Sequence, residues 1–133
     1  MRAGHCHCGA VRYAFEGEPT SAGYCHCSLC RRLTGSAFAP WCEVPNANLR
    51  WSRRDGLQEY SITDRYAAWF CRVCGAPVAT THSLSPDATS LLMGTLEGDH
   101  GIAPQCHIYT GSKAPWYEIR DALPQYERGR RDA

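Results

Sequence analysis

The chain has no long apolar run. None of its stretches approaches the ~20 residues that a bilayer-crossing helix needs, so no membrane role is expected. It also lacks a dominant charge: 14 Lys and Arg stand against 13 Asp and Glu, for a net +1. The basic residues gather only in Arg31-Arg32, Arg53-Arg54 and the tail Arg128, Arg130 and Arg131. Such short clusters do not make the continuous basic face that a phosphate backbone requires, and no nucleic-acid partner is expected. Internal repeats, linkers and low-complexity stretches are missing too. No export signal is expected either, because Met1-Arg2-Ala3-Gly4-His5-Cys6 enters a cysteine motif at once. The expected compartment is therefore the cytoplasm, where thiols stay reduced and clustered cysteines bind metal or act chemically.

Sustained helical periodicity is the last absence. What remains is a globular composition, with 44% apolar and 20% charged residues. In 133 residues this suits one domain spanning 1–133, with a core of about 3–126 and a fraying tail from Glu127 to Ala133. Twelve Gly and eight Pro divide short strand-like runs at 11–15, 37–42, 48–51, 58–62, 65–70, 78–81, 90–95 and 106–110. Pro40 marks its run as an edge or a bulge. One helical turn is expected over Ser28 to Thr34 and a second after Ala114-Pro115-Trp116. The fold class is mainly β, a meander or barrel-like sandwich. Trp41, Trp51, Trp69 and Trp116 are expected in its core.

Nine cysteines stand out against this background, and seven fall in three clusters: Cys6-His7-Cys8-Gly9, Cys25-His26-Cys27-Ser28-Leu29-Cys30 and Cys71-Arg72-Val73-Cys74-Gly75. In extended backbone, residues two apart share a face, so Cys6 and Cys8 can converge on one ion while His7 points away. A C-x-x-C-G turn brings two more thiolates together, and the glycine lets the backbone curl. Cys6, Cys8, Cys71 and Cys74 make four sulfurs, the closed set of a structural zinc. Cys25, Cys27 and Cys30 supply three from six consecutive residues, and three protein ligands with one open position is the arrangement of a catalytic zinc. Two zincs per chain are expected. A disulfide within C-x-C would be strained. His26 could replace a cysteine, although its place between Cys25 and Cys27 turns it away; His5 and His7 suit solvent exposure or supporting roles beside the ligands. Cys42 and Cys106, without partners at ligand spacing, read as small buried hydrophobes.

Gly4 to Tyr13, Cys25 to Gly35, Phe70 to Pro77, Ala114-Pro115-Trp116-Tyr117-Glu118-Ile119 and Leu123-Pro124-Gln125-Tyr126 together resemble the glutathione-dependent formaldehyde-activating enzyme (GFA) family, which also includes the centromere protein V domain. The resemblance implies a β-tent of small twisted antiparallel sheets, similar to the Mss4-like fold and stabilised by zinc. It implies a structural zinc on Cys6, Cys8, Cys71 and Cys74, and a catalytic zinc on Cys25, Cys27 and Cys30. The implied activity is carbon–sulfur lyase chemistry, joining glutathione and formaldehyde into S-hydroxymethylglutathione or reversing that step. The partners would then be a glutathione-like thiol and a small aldehyde, with a homodimer open as the oligomeric state. His107 is a candidate acid/base or site-lining group, and Arg31 and Arg32 could bind a substrate carboxylate. Two other readings fit the same cysteines: a non-catalytic binding module with two structural zincs, and a sensor that releases zinc when its thiolates oxidise.

Overall fold

The computed structural model describes residues 1–129. Ten strands follow one another as β1 (Arg2–His5), β2 (Arg12–Phe15), β3 (Ser21–Cys25), β4 (Ala39–Pro45), β5 (Leu49–Arg53), β6 (Leu57–Ser61), β7 (Tyr66–Cys71), β8 (Pro77–His82), β9 (Ala88–Leu92) and β10 (His107–Ile108). A single α-helix, α1 (Ser28–Thr34), separates β3 from β4. The strands form a three-stranded sheet in the order β1-β2-β5 and a seven-stranded sheet in the order β10-β3-β4-β9-β8-β7-β6. All pairings are antiparallel except the two-residue pairing of β10 with β3. The fold is mainly β, in agreement with a zinc-stabilised Mss4-like architecture.

The two faces of the larger sheet do different work, because side chains alternate along each strand. On β4, Cys42 and Val44 point into the main core with Leu91 of β9 and Val78 of β8; Tyr13 and Phe15 of β2 meet them from the smaller sheet. Tyr13 packs edge-on against Trp51 at 5.7 Å. On the opposite face, Ala39, Trp41 and Glu43 of β4 stand beside Ala88, Ser90 and Leu92 of β9 and line a cavity. One sheet thus carries a dry core on one side and an open pocket on the other.

Several expectations change. Pro40 lies inside the sheet, not at its edge, since β4 sits between β3 and β9. The sheet accepts it for a simple reason. Its partner Tyr24 donates away from β4, to Cys106 O at 2.9 Å, so Tyr24 and Pro40 form a pair without mutual hydrogen bonds. The missing N–H of Pro40 faces the side of β9, which has ended at Leu92 opposite Trp41. Trp116 is not core; it is 70% exposed. The single turn expected at Ala114-Pro115-Trp116 is present, with Tyr117 N–H on Ala114 O. The described part of the tail is held: Gly111 donates to Glu127 O and Tyr109 to Arg128 O. Residues 130–133, with Arg130 and Arg131, lie outside the described residues. Strands β1 and β3 had no clear alternating signal and appear only in the structure. Among the described residues no helix is long and apolar enough to cross a membrane.

Candidate metal centres

The first cluster forms where the N-terminal strand meets the β7–β8 turn. Cys6 and Cys8 do not converge by strand alternation, as the spacing suggested. They follow β1 in a tight turn that Gly9 closes at φ +82°, with Gly9 N–H on Cys6 O. Cys71 ends β7, and Cys74 follows in a turn where Gly75 adopts φ +80° and donates to Cys71 O at 2.7 Å. The glycine in C-x-x-C-G is therefore required by a left-handed backbone. His7 is exposed, and His5 pairs with Glu97 at 3.5 Å.

The four sulfurs lie within 4.8 Å of one another. Zinc with Zn–S bonds of about 2.3 Å sets sulfur–sulfur edges of about 3.8 Å in a tetrahedron. The Cys6–Cys8 and Cys8–Cys71 sulfur distances are both 3.7 Å. Val11 N–H reaches the Cys6 sulfur at 3.4 Å, and the backbone N–H of Ala76 leads in pulling the Cys74 thiol down to about 6. The set fits a four-coordinate soft metal.

The second cluster spans the end of β3 and the start of α1. Cys25 is the last strand residue, on the cavity face. Cys27 is the N-cap, with ψ 154°, and its sulfur accepts the N–H of Cys30 at 3.3 Å. Here strand alternation does turn both sulfurs to one face, because Cys25 ends a strand and Cys27 is extended. The helix ends where Gly35, at φ +65°, donates to Arg31 O. The three sulfurs lie within 4.8 Å of one another. Contact with Cys25 and Cys30 pulls the Cys27 thiol down to about 3, while the same contact pushes Cys25 up. Three thiolates this close repel unless a cation sits among them. The trio can hold a metal ion, and no fourth ligand joins it among the described residues.

All three of these cysteines line a cavity of about 510 Å³ between α1 and the outer face of the large sheet. Its walls mix Trp41, Leu92 and Ile108 with the hydroxyls of Tyr66, Thr80 and Ser90. Tyr66 had no motif to announce it. It sits in an ordinary alternating strand, yet burial pushes its phenol up, so it stays protonated near Cys30. Arg31 and Arg32 lie in the last turn of α1, where positive charge suits the helix C-terminus; neither is among the described cavity walls.

His26 turns away from the trio, as its position predicted. It is fully buried and neutral near pH 7, pulled down to about 4 chiefly by burial. Its Nε2 meets Nδ1 of His107 at 2.8 Å, and His107 Nε2 meets Asp121 Oδ2 at 2.9 Å. His107 is 1% exposed and stacks on Tyr24 at 4.9 Å, so it stands behind the trio and not in the cavity wall. Asp121, outside every sequence motif, is held below the usual carboxylate range by the hydrogen bond from His107. Cys42 and Cys106 are buried, as expected.

The chain is thus a mainly β protein with two cysteine sets, one of four thiols and one of three, each able to hold a metal ion. Residues 1–112 match the family model described as glutathione-dependent formaldehyde-activating enzyme, and the chain belongs to that family. It is also similar to a crystal structure of a Rhodobacter sphaeroides protein from a structural-genomics programme. The two are 32% identical, with a TM-score of 0.62, covering 77% of this chain and 97% of the other. No curated protein matches the chain significantly.

Proposed function

We propose that the chain is a zinc-dependent carbon–sulfur lyase that binds a thiol such as glutathione at Cys25, Cys27 and Cys30 and forms or cleaves its S-hydroxymethyl adduct with a small aldehyde. The observation that carries this reading is the opening of a three-sulfur set onto a cavity. Cys6, Cys8, Cys71 and Cys74 would hold a second zinc for structure. Zinc at the three cysteines would supply a Lewis acid that favours the deprotonated thiol. In the forward direction the sulfur lone pair adds to the carbonyl carbon, the C=O π pair moves to oxygen, and that oxygen takes up one proton for the one lost from S–H. Tyr66, a cavity residue kept protonated by burial, would donate to the developing oxyanion and recover the proton in reverse. Trp41, Leu92 and Ile108 exclude water from part of the pocket. His107 acts here from behind the trio, not on substrate.

The test measures exchange between free thiol, formaldehyde and hemithioacetal by ¹³C NMR with the zinc-loaded protein. Acceleration should appear with the parent chain, disappear with Cys27→Ser and fall with Tyr66→Phe. A parent protein with two zincs that leaves the exchange at its spontaneous rate would sink the reading in favour of an inert zinc module.

A further inference from the structure

Behind the three-cysteine pocket runs a buried chain of polar groups, His26 to His107 to Asp121, with separations of 2.8 and 2.9 Å. Its two rings are closed in by aromatic side chains. Tyr24 lies against His107, Phe38 lies 5.2 Å from His26, and Tyr117 packs on Phe38 at 5.3 Å. Asp121 is the only member that reaches solvent, at 44% exposure of its side chain. Its Oδ1 also accepts the N–H of Leu123 at 3.0 Å, which fixes the carboxylate in its loop.

Proton placement along this chain follows from the acceptor at its end. A carboxylate only accepts, so His107 Nε2 must carry the hydrogen. In a neutral ring Nδ1 of His107 is then an acceptor, and the hydrogen between the rings belongs to His26 Nε2. This leaves His26 Nδ1, buried and with no hydrogen-bond partner, as a bare lone pair. The opposite arrangement would bury an unpaired N–H at that atom and a cation on His107. An under-satisfied acceptor is the more tolerable of the two.

The ring so fixed belongs to the residue between two candidate ligands. His26 N–H is tied to Ile108 O at 2.9 Å and its ring to His107, so backbone and side chain are both held by β10. Strand β10 is itself backed by the C-terminal segment, with His107 N–H on Pro124 O and Tyr126 N–H on His107 O. Asp121 and these backing residues lie beyond the 1–112 stretch that matches the family.

We propose that Asp121 is a positioning residue: through His107 it fixes His26 as the Nε2–H tautomer, and thereby holds the extended Cys25–Cys27 segment from behind. The effect on metal rests on the reading of Cys25, Cys27 and Cys30 as a zinc site; the tautomer does not. Groups hydrogen-bonded directly to a metal ligand typically alter metal affinity 10- to 100-fold when removed; Asp121 stands further back, behind a residue that is not itself a ligand, so a smaller change of about 3- to 10-fold is expected.

Two measurements test it. Long-range ¹H–¹⁵N spectra of the parent should show both histidines protonated at Nε2 and bare at Nδ1, and Asp121→Ala should disturb both rings. Zinc transfer to a chromophoric chelator should then be followed, with the Cys27→Ser protein identifying which phase belongs to the trio. Asp121→Ala should speed that phase about 3- to 10-fold and leave the other unchanged. Asp121→Asn, whose amide oxygen can still accept from His107, should fall between. Protonation of His26 at Nδ1, an unchanged trio phase, or equal acceleration of both phases would each overturn the proposal. A parent that binds a single zinc overturns the metal reading instead, and the nitrogen spectra still decide the tautomers.

Discussion

Tyr13 shows how much one side chain does in this fold. It is fully buried between the sheets, and its hydroxyl meets Thr95 Oγ1 at 2.6 Å. Burial raises its pKa above the ordinary value of 10.0. The unfolded chain would ionise this phenol near that ordinary value, while the folded chain keeps its proton to higher pH. The folded state therefore binds more protons above pH 10, and stability falls as pH rises. Urea titrations should show the loss beginning near pH 10, by up to about 1.4 kcal/mol per pH unit from this group. Tyr13→Phe should flatten that slope. The residue scale also marks the limit of pattern reading. The cysteines declare themselves by spacing, whereas Tyr66 and Asp121 look like ordinary strand and loop residues until the fold places them.

At the scale of elements, β3 is the hinge of the functional arrangement. It was not legible in the sequence because Ser21-Ala22-Gly23-Tyr24-Cys25 has little apolar alternation. Its stability comes from neighbours on both sides, β10 and β4. Gly23 is the reason they approach so closely. A Cβ there would lie 2.9 Å from Cys106 O, 3.0 Å from Cys106 Sγ and 3.1 Å from Trp41 Cζ2. Gly23→Ala should destabilise the protein by about 1–3 kcal/mol, read as a lower urea midpoint. It should also loosen Trp41 in the cavity wall, visible as a shifted tryptophan emission. Helix α1 is the opposite case, since Ser28–Thr34 appears where the sequence placed it. Its terminating Gly35 is a local feature, so no tertiary contact was needed to end it.

At the scale of the whole molecule, the four-sulfur knot links chain segments more than sixty residues apart and joins the two sheets. Cys6 and Cys71 are also part of the main core. The three-sulfur set is local, within six residues, and packs in a smaller cluster with Ala39 and Leu92. Removing the first should therefore harm folding far more than removing the second. Cys71→Ser should lower the melting temperature strongly or prevent folding, while Cys27→Ser should keep native far-ultraviolet circular dichroism and lose one zinc. Equal damage from the two would contradict this division. The sequence by itself determined the fold class, the cysteine sets and α1, because ligand spacing, strand alternation and caps are local properties of a chain. Only the tertiary structure decided that the trio opens on a cavity, that Pro40 is tolerated inside a sheet, that Trp116 stays outside the core, and that Asp121 reaches His26 through His107. Each of those depends on which strands become neighbours, a long-range choice that no local spacing records.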